Sequence, residues 1–414
     1  STGEDPYLNS RFSEAIVKGF QGDDLKTPGK VASCIKHFAG YGGAVGGTVN
    51  VNGNVDISGI GNGLFANIGG ATINVNGGKI NIVDTDKKNG YSAIYAANGK
   101  INVNTVKDAD GKVTGAGNNK VDITGNVVVS VGAVNYVDCY EYSLVNLGLT
   151  TKDSQLSGVI YNEFPEGGKT ASQGGNKKLF TGAANLWLQN GATWTNEQQG
   201  VLPSVWGGEQ FKGSRVNKLA GGATAEAAGN IYQNDSNSLT IDNYSGNTNI
   251  FYAHEGNGEA AENYAAGDTI IKHAAEGSVV SMITDNTGIA MDNQASVNNV
   301  LNALAGKLTY SNYVNGENNL TGYVKIADGL TASSAALKTG DITFNEADGK
   351  GGFVSAPVIP DHQVTTSFTT TLTGDKEKDN EYLMGGVIAE DGTYKFTEAS
   401  DITAVSAIET AKDL

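Results

Sequence analysis

From Gly47 onward, apolar and polar residues alternate with a period of two. Val49-Asn50-Val51-Asn52 sets the pattern, and GNVDI (53–57), GKINI (78–82), GKINV (99–103) and NKVDI (119–123) resemble one another. Such alternation marks strands with one buried face, here Val and Ile inward and Asn, Asp or Lys outward, with Gly and Asn at the corners. The segments are spaced 25, 21 and 20 residues apart. Repeats of this length indicate a solenoid or a propeller, and a blade would need ~40–45 residues. One coil of a parallel β-helix fits better, because inward side chains then stack on equivalent positions of the next coil. The expectation is roughly 14–17 coils of about 22 residues, spanning ~65–80 Å at ~4.8 Å per coil.

The same grammar continues in longer units. Val127–Val131, Asn185–Leu188, Ser238–Asp242, Ser278–Ile283 and Gly340–Phe344 read as rungs. Val297, Val300, Leu301, Leu304 and Leu308 have helical spacing instead, with Gly306 placed as a C-cap, so 294–306 is expected to be a helix packed on the solenoid. Residues 350–400 hold hairpin-like pieces, with two strands expected between Asp379 and Phe396, and Ala404–Leu414 has a helical pattern. At the other end, Leu8, Phe12, Ile16 and Phe20 recur every four residues, which predicts a helix over 7–21; Val31–Phe38 reads as a buried strand. Three regions follow: 1–46, a short helical, α/β-like segment; 47–349, the β-helix; and 350–414, a less regular β region. The fold class expected is all-β, a right-handed parallel β-helix with an inserted helix.

Composition narrows this further. Of 414 residues 57 are Gly, only 6 are Pro, and 17% are charged, which suits neither a disordered chain nor collagen. A formal charge of −16 argues against nucleic acid as a partner and against docking on anionic lipid. No apolar run reaches the ~18 residues of a membrane span. Ser1–Arg11 lacks the apolar core of a signal peptide and does not start with Met, so a processed or excised chain is expected. Cys34 and Cys139 are the two cysteines, too few for a disulfide scaffold, and both are expected to be free thiols.

Two family resemblances enter here. Gly3-Glu4-Asp5-Pro6-Tyr7-Leu8, Val17-Lys18-Gly19-Phe20-Gln21-Gly22 and Lys36-His37-Phe38-Ala39-Gly40-Tyr41-Gly42 together resemble family 3 glycoside hydrolases. That resemblance implies a piece of a TIM barrel in which Lys36 and His37 contact sugar hydroxyls. The departure is large. No Trp follows an Asp at Trp187, Trp194 or Trp206, the barrel sequence ends at Gly47, and the two carboxyl roles of a glycosidase are unfilled. The remaining nine tenths resemble the passenger domain of bacterial autotransporters (type V secretion). This rests on Leu186-Trp187-Leu188 followed by Gly191-Ala192-Thr193-Trp194-Thr195, on Leu239–Gly246 and on Ala327-Asp328-Gly329-Leu330-Thr331. It implies a β-helix exported through an outer-membrane barrel that belongs to the full-length protein and lies outside this sequence.

Candidate chemistry is sparse. His254, His273 and His362 share no ligand spacing with one another or with Cys139. Asp84-Thr85-Asp86 and Asp108-Ala109-Asp110-Gly111 resemble pieces of calcium loops without the full pattern. Trp187, Trp194, Trp206 and the 17 Tyr are candidates for a saccharide or protein surface; Trp187 points opposite to Leu186 and Leu188, leaving either it or them exposed. No catalytic residue, metal site or cofactor is expected. The function implied is an adhesin or structural stalk, extracellular or on the bacterial cell surface, contacting protein or glycan receptors on other cells or matrix. The alternative is a glycoside hydrolase-related or polysaccharide-active carbohydrate-binding protein.

Overall fold

The structure is a computed structural model. It describes residues 47–327 except 68, 83–89, 132–139, 165–166, 174–175, 203–211, 256–262, 286–293 and 313–318; it also describes 336–342, 387–388, 394–395 and the helical positions Arg11, Glu14, Ala15 and Lys18.

The chain winds as a parallel β-helix, as the alternation predicts, and its turns have three sides. Along the first side, the strand beginning at Thr48 pairs in parallel with Thr72–Val75, then Lys100–Val103, Leu144–Leu147 and Asn185–Leu188. Along the second side, one inward position passes through Ile57, Ile80, Ile123, Leu156, Trp194, Ile231, Ile250, Met282 and Val324, each paired in register with the next. The third side stacks Leu64, Ile94, Val127 and Ile160. Further along the axis it stacks Ser214, Leu239, Thr269 and Leu308. The three inward columns meet in a single continuous apolar core. Among the described residues, nine strands on the second side make eight steps, about 38 Å at ~4.8 Å each.

Across the described residues, turn length differs from the sequence expectation. Equivalent residues lie from 19 positions apart (Asn230 and Asn249) to 44 apart (Asn102 and Asn146). The apparent repeat of about 22 mixes two geometries. GNVDI and NKVDI lie on the second side, where Ile57 and Ile123 both align with Ile80, whereas KINV of GKINV lies on the first side over Thr72–Val75. Alternation with a Gly corner looks the same on every side of a coil, so self-similarity does not separate neighbouring sides from neighbouring turns. Insertions account for the longer turns. They include the hairpin of Thr105–Lys107 with Val113–Ala116, and a second of Lys169–Gln173 with the start of Asn176–Leu188.

The predicted helix is present as Gln294–Ala305, with Val300 and Leu304 fully buried against the core. Strand Ala336–Ile342 runs antiparallel to Leu320–Ala327 instead of adding the parallel rung expected at 340–344. Only residues 328–335 separate the two, fewer than the dozen or so a parallel crossover needs. Val387–Ile388 and Tyr394–Lys395 form an antiparallel pair within the segment expected to hold two strands. The readings on 31–38 and 404–414, on both cysteines, and on most of 7–21 fall outside the described residues. Among the described residues no helix is long and apolar enough to cross a membrane.

Corners are set by backbone that only small residues accept. Gly125 and Gly158 occupy successive turns at one corner with φ of 124° and 156°, and a Cβ on Gly158 would come within 2.2 Å of the Gly125 oxygen. Where a ladder bond lapses near a corner, hydroxyls complete it. The Oγ of Ser143 accepts the Asn98 N–H at 2.8 Å, and that of Ser214 accepts the Ile160 N–H at 3.0 Å.

Trp194 lies in the aliphatic column, fully buried, its indole N–H donating to the Gly158 carbonyl at 2.8 Å. Trp194→Ala is expected to cost ~3–5 kcal/mol through the cavity it leaves, read as a lower urea midpoint; a loss below ~1 kcal/mol would contradict the column. Tyr244 and Tyr252 are buried with their hydroxyls donating to the carbonyls of Val279 (2.5 Å) and Gly267 (3.0 Å). Desolvation pushes both phenols well above their usual value of 10.0. The unfolded chain ionises near pH 10 while the folded chain keeps both protons, so this stabilisation is complete below about pH 10 and is lost as pH rises beyond it. The urea midpoint of the native chain should fall steeply above about pH 10, and more shallowly in a Tyr244→Phe/Tyr252→Phe variant; equal slopes would refute the assignment.

Candidate functional site

The outward row of the first side carries a ladder of asparagines. Asn50, Asn74, Asn102, Asn146 and Asn185 occupy one register position in five successive turns. Each Nδ2 donates to the Oδ1 of the turn before, at 2.7, 2.8, 2.8 and 2.9 Å along the row. One amide supplies both donor and acceptor, so a column at the inter-turn spacing can bond to itself indefinitely, and aligned amides polarise one another. Past Asn185 the position continues as Lys218, Asn243 and His273.

Two clefts lie along this row. The first, of ≈ 500 Å³, has Asn102, Asn146 and Asn185 in its floor, and Tyr142, Trp187 and Lys218 beside them. Its outer wall is the hairpin of Thr105–Lys107 and Val113–Ala116, which contributes Lys107, Asp110 and Lys112. Leu186 and Leu188 are core and Trp187 is the outward residue, which resolves the alternative left open by alternation. Burial, with the Tyr140 phenol nearby, holds the Tyr142 hydroxyl above the ordinary phenol range, so it stays neutral and able to donate at physiological pH.

Asn104 fixes the hairpin. It adopts a left-handed φ of 51°, is buried, and sets its Nδ2 3.2, 3.1 and 3.0 Å from the carbonyls of Gly117, Asn119 and Gly148. Its Oδ1 accepts the Asn119 N–H at 3.1 Å. A Cβ on Gly148 would lie 2.4 Å from the Asn104 oxygen and 2.7 Å from the Ala116 Cβ, so only glycine lets the hairpin sit this close. At the tip, Asp108 Oδ1 accepts the N–H groups of Asp110 (3.1 Å) and Lys112 (2.8 Å). The calcium-loop-like run 108–111 is therefore a self-bonded turn, and Asp84 and Asp86 lie outside the described residues.

The second cleft, of ≈ 430 Å³, continues the row and includes Thr181, Asn243 and His273. Thr181 is the register partner of Tyr142, and Asn243 that of Lys218, so the two clefts adjoin. Its centre is Asp242. Arg215, buried, reaches both oxygens of that carboxylate at 3.0–3.2 Å, Lys272 reaches Oδ1 at 3.1 Å, and Asn217 donates to Oδ2 at 3.2 Å. The carboxylate is held on several sides, while two cations share one anion.

The residues singled out in the sequence separate accordingly. Trp187 and His273 line the groove. Trp194 is core rather than surface. His254 sits with Nε2 3.5 Å from Asp285. Lys36, His37, Trp206 and His362 lie outside the described residues. Among the described residues no group of three or more His, Cys, Asp or Glu is arranged to hold a metal. Sequence reasoning missed the ladder as a bonded unit, the groove lysines and the Arg215–Asp242–Lys272 cluster. The one available signal was the recurring Asn of VNV, INV, INV and VNL at 49–51, 73–75, 101–103 and 145–147. A different surface, on the second side, stacks Tyr232 on Phe251 at 4.7 Å between ring centres and 12° between planes.

Comparison with protein-family models, with curated proteins and with solved structures finds no match. What the groove does is therefore argued from its own chemistry.

Asn104→Ala should release the hairpin: it removes the buried bracket and leaves carbonyls unsatisfied, at ~1–3 kcal/mol. Limited proteolysis with mass mapping should show cleavage within 105–116 rising at least several-fold; an unchanged rate would mean the hairpin is held by something else.

Proposed function

We propose that this chain is the passenger region of an exported bacterial autotransporter, and that its β-helix acts at the cell surface as an adhesin for glycans. One observation carries the reading: a groove on the first side that sets an outward Trp and Tyr beside a row of amides. Sugar rings offer an apolar face that packs on flat aromatics and hydroxyls that exchange hydrogen bonds with amides, a role open to the half-buried Asn185 while the buried Asn102 and Asn146 support it from below. The row repeats once per turn, so it suits a polymer with a repeat of its own. The floor is rigid because each amide is held by its neighbours, which lowers the ordering cost of binding.

Binding without turnover is the reading the carboxylates support. Glycoside hydrolysis uses two carboxyl groups ~5–9.5 Å apart across the scissile bond. Of the two that line the groove, Asp242 is engaged by Arg215, Lys272 and Asn217, and Asp110 lies in the other cleft on the hairpin. The alternative, a carbohydrate-active enzyme, rests on the motif at Lys36 and His37.

Immobilised-glycan screening of the full chain should give reproducible binding that Trp187→Ala weakens at least tenfold with the circular dichroism spectrum unchanged. Binding that Trp187→Ala leaves untouched would remove the groove from the account. Hydrolysis of an aryl β-glycoside that is abolished by His37→Ala would establish the enzymatic alternative instead.

A further inference from the structure

The chain as a whole is strongly acidic, with a formal charge of −16. The groove has the opposite sign. Lys100, Lys107, Lys112 and Lys218 line the first cleft against Asp110, and Arg215 and Lys272 line the second against Asp242. Six cations thus face two carboxylates. Arg215 and Lys272 are committed to Asp242. The four lysines of the first cleft form no ion pair with a described residue. Lys100 lies 5.2 Å from the centre of the Tyr140 ring, and Lys107 donates to the Oδ1 of Asn74 at 2.7 Å, so two of the four are positioned by uncharged partners and keep their charge uncompensated.

From this sign inversion we infer that the groove takes an anionic polysaccharide, a chain of sugars bearing carboxylate or sulfate groups; the inference rests on the glycan-binding reading above. A neutral glycan gives four unpaired lysines nothing to do, whereas charges within about a Debye length, ~8 Å at physiological salt, dominate the local field over the acidic remainder of the molecule. Spacing points to a polymer. Lys100 stands on the third turn and Lys218 on the sixth, three steps apart in register through Leu144 and Ala183 to the strand Ser214–Ala220. Three steps at ~4.8 Å place them on the order of 14 Å apart along the axis, beyond the reach of one anionic group and suited to successive ones on an extended chain. The amide row and Trp187 lie between, which favours sugar rings over an acidic peptide.

The test uses the full chain and four immobilised probes: heparin, which carries sulfates and carboxylates; hyaluronate, with carboxylates only; dextran, which is neutral; and poly-glutamate, an acidic peptide. The expected result is binding to heparin or hyaluronate that weakens at least tenfold between 50 and 300 mM NaCl, with dextran and poly-glutamate at least tenfold weaker. Preference between the first two identifies sulfate or carboxylate as the anion read. Lys100→Gln/Lys218→Gln should reduce binding at least fivefold, while Lys79→Gln, on the second side, leaves it unchanged. Equal, salt-insensitive binding of dextran and heparin would overturn the anionic assignment and leave the glycan reading standing. Poly-glutamate binding as tightly as heparin would replace the polysaccharide by an acidic peptide. No binding to any glycan, in this test and in the wider screen, would overturn both readings.

Discussion

Parallel pairing of each turn with the next, in register, is the constraint from which everything else in this molecule follows. Side chains alternate strictly along a strand, so once Ile57 sits beside Ile80 every later inward residue of the second side is committed to the same column, through Trp194 to Val324. The same commitment acts outward. A residue type that bonds to itself across ~4.8 Å can then recur turn after turn, and Asn is suited to that because one side chain both gives and accepts. The asparagine ladder is thus the outer counterpart of the aliphatic columns, and it stiffens the face on which the groove is built.

Function enters where the regular winding is interrupted. The hairpin of Thr105–Lys107 and Val113–Ala116 lengthens one turn and folds back over the ladder, which converts an open sheet face into a walled cleft. Asn104 and Gly148 hold it there from beneath, one by hydrogen bonds and the other by having no side chain. The solenoid supplies a floor with a fixed repeat, and the insertion supplies lysines at its edge. Because the inserted residues are exposed, they are free to carry chemistry that the columns, fixed by packing, are not. The basic groove of this acidic chain draws on both parts, Lys107 and Lys112 from the insertion and Lys100 and Lys218 from the outward rows of the solenoid.

Much of the architecture was legible in the sequence. Period-two runs identified the strands, Val and Ile marked the core face, and the change to helical spacing at Val297–Leu304 located the helix. The turn period was not legible. Lys100–Val103 and Val121–Thr124 carry nearly the same pattern yet lie on adjacent sides of one turn, since each side meets the same demand for an apolar inward row between corners. The groove was half legible. Trp187 and the outward asparagines are evident from alternation, but Lys218, Asn243 and His273 share one position only because register brings together residues 25 to 55 positions apart. Trp194 shows the opposite error: it occupies a column otherwise filled by Ile, Leu, Val and Met, which a composition-based guess at an aromatic surface patch does not anticipate.

Register is therefore the claim to test most directly. In a chain with Cys34→Ser and Cys139→Ser, oxidation of Lys79→Cys/Asp122→Cys should form an intramolecular disulfide readily, because these two positions are direct neighbours in adjacent turns and disulfides need Cα atoms within ~7 Å. The pair Asn102→Cys/Asp122→Cys, which a 20-residue coil would align, should stay reduced, since the two lie on different sides. Cross-linking of the second pair and not the first would contradict the three-sided register, and with it the ladder and the groove.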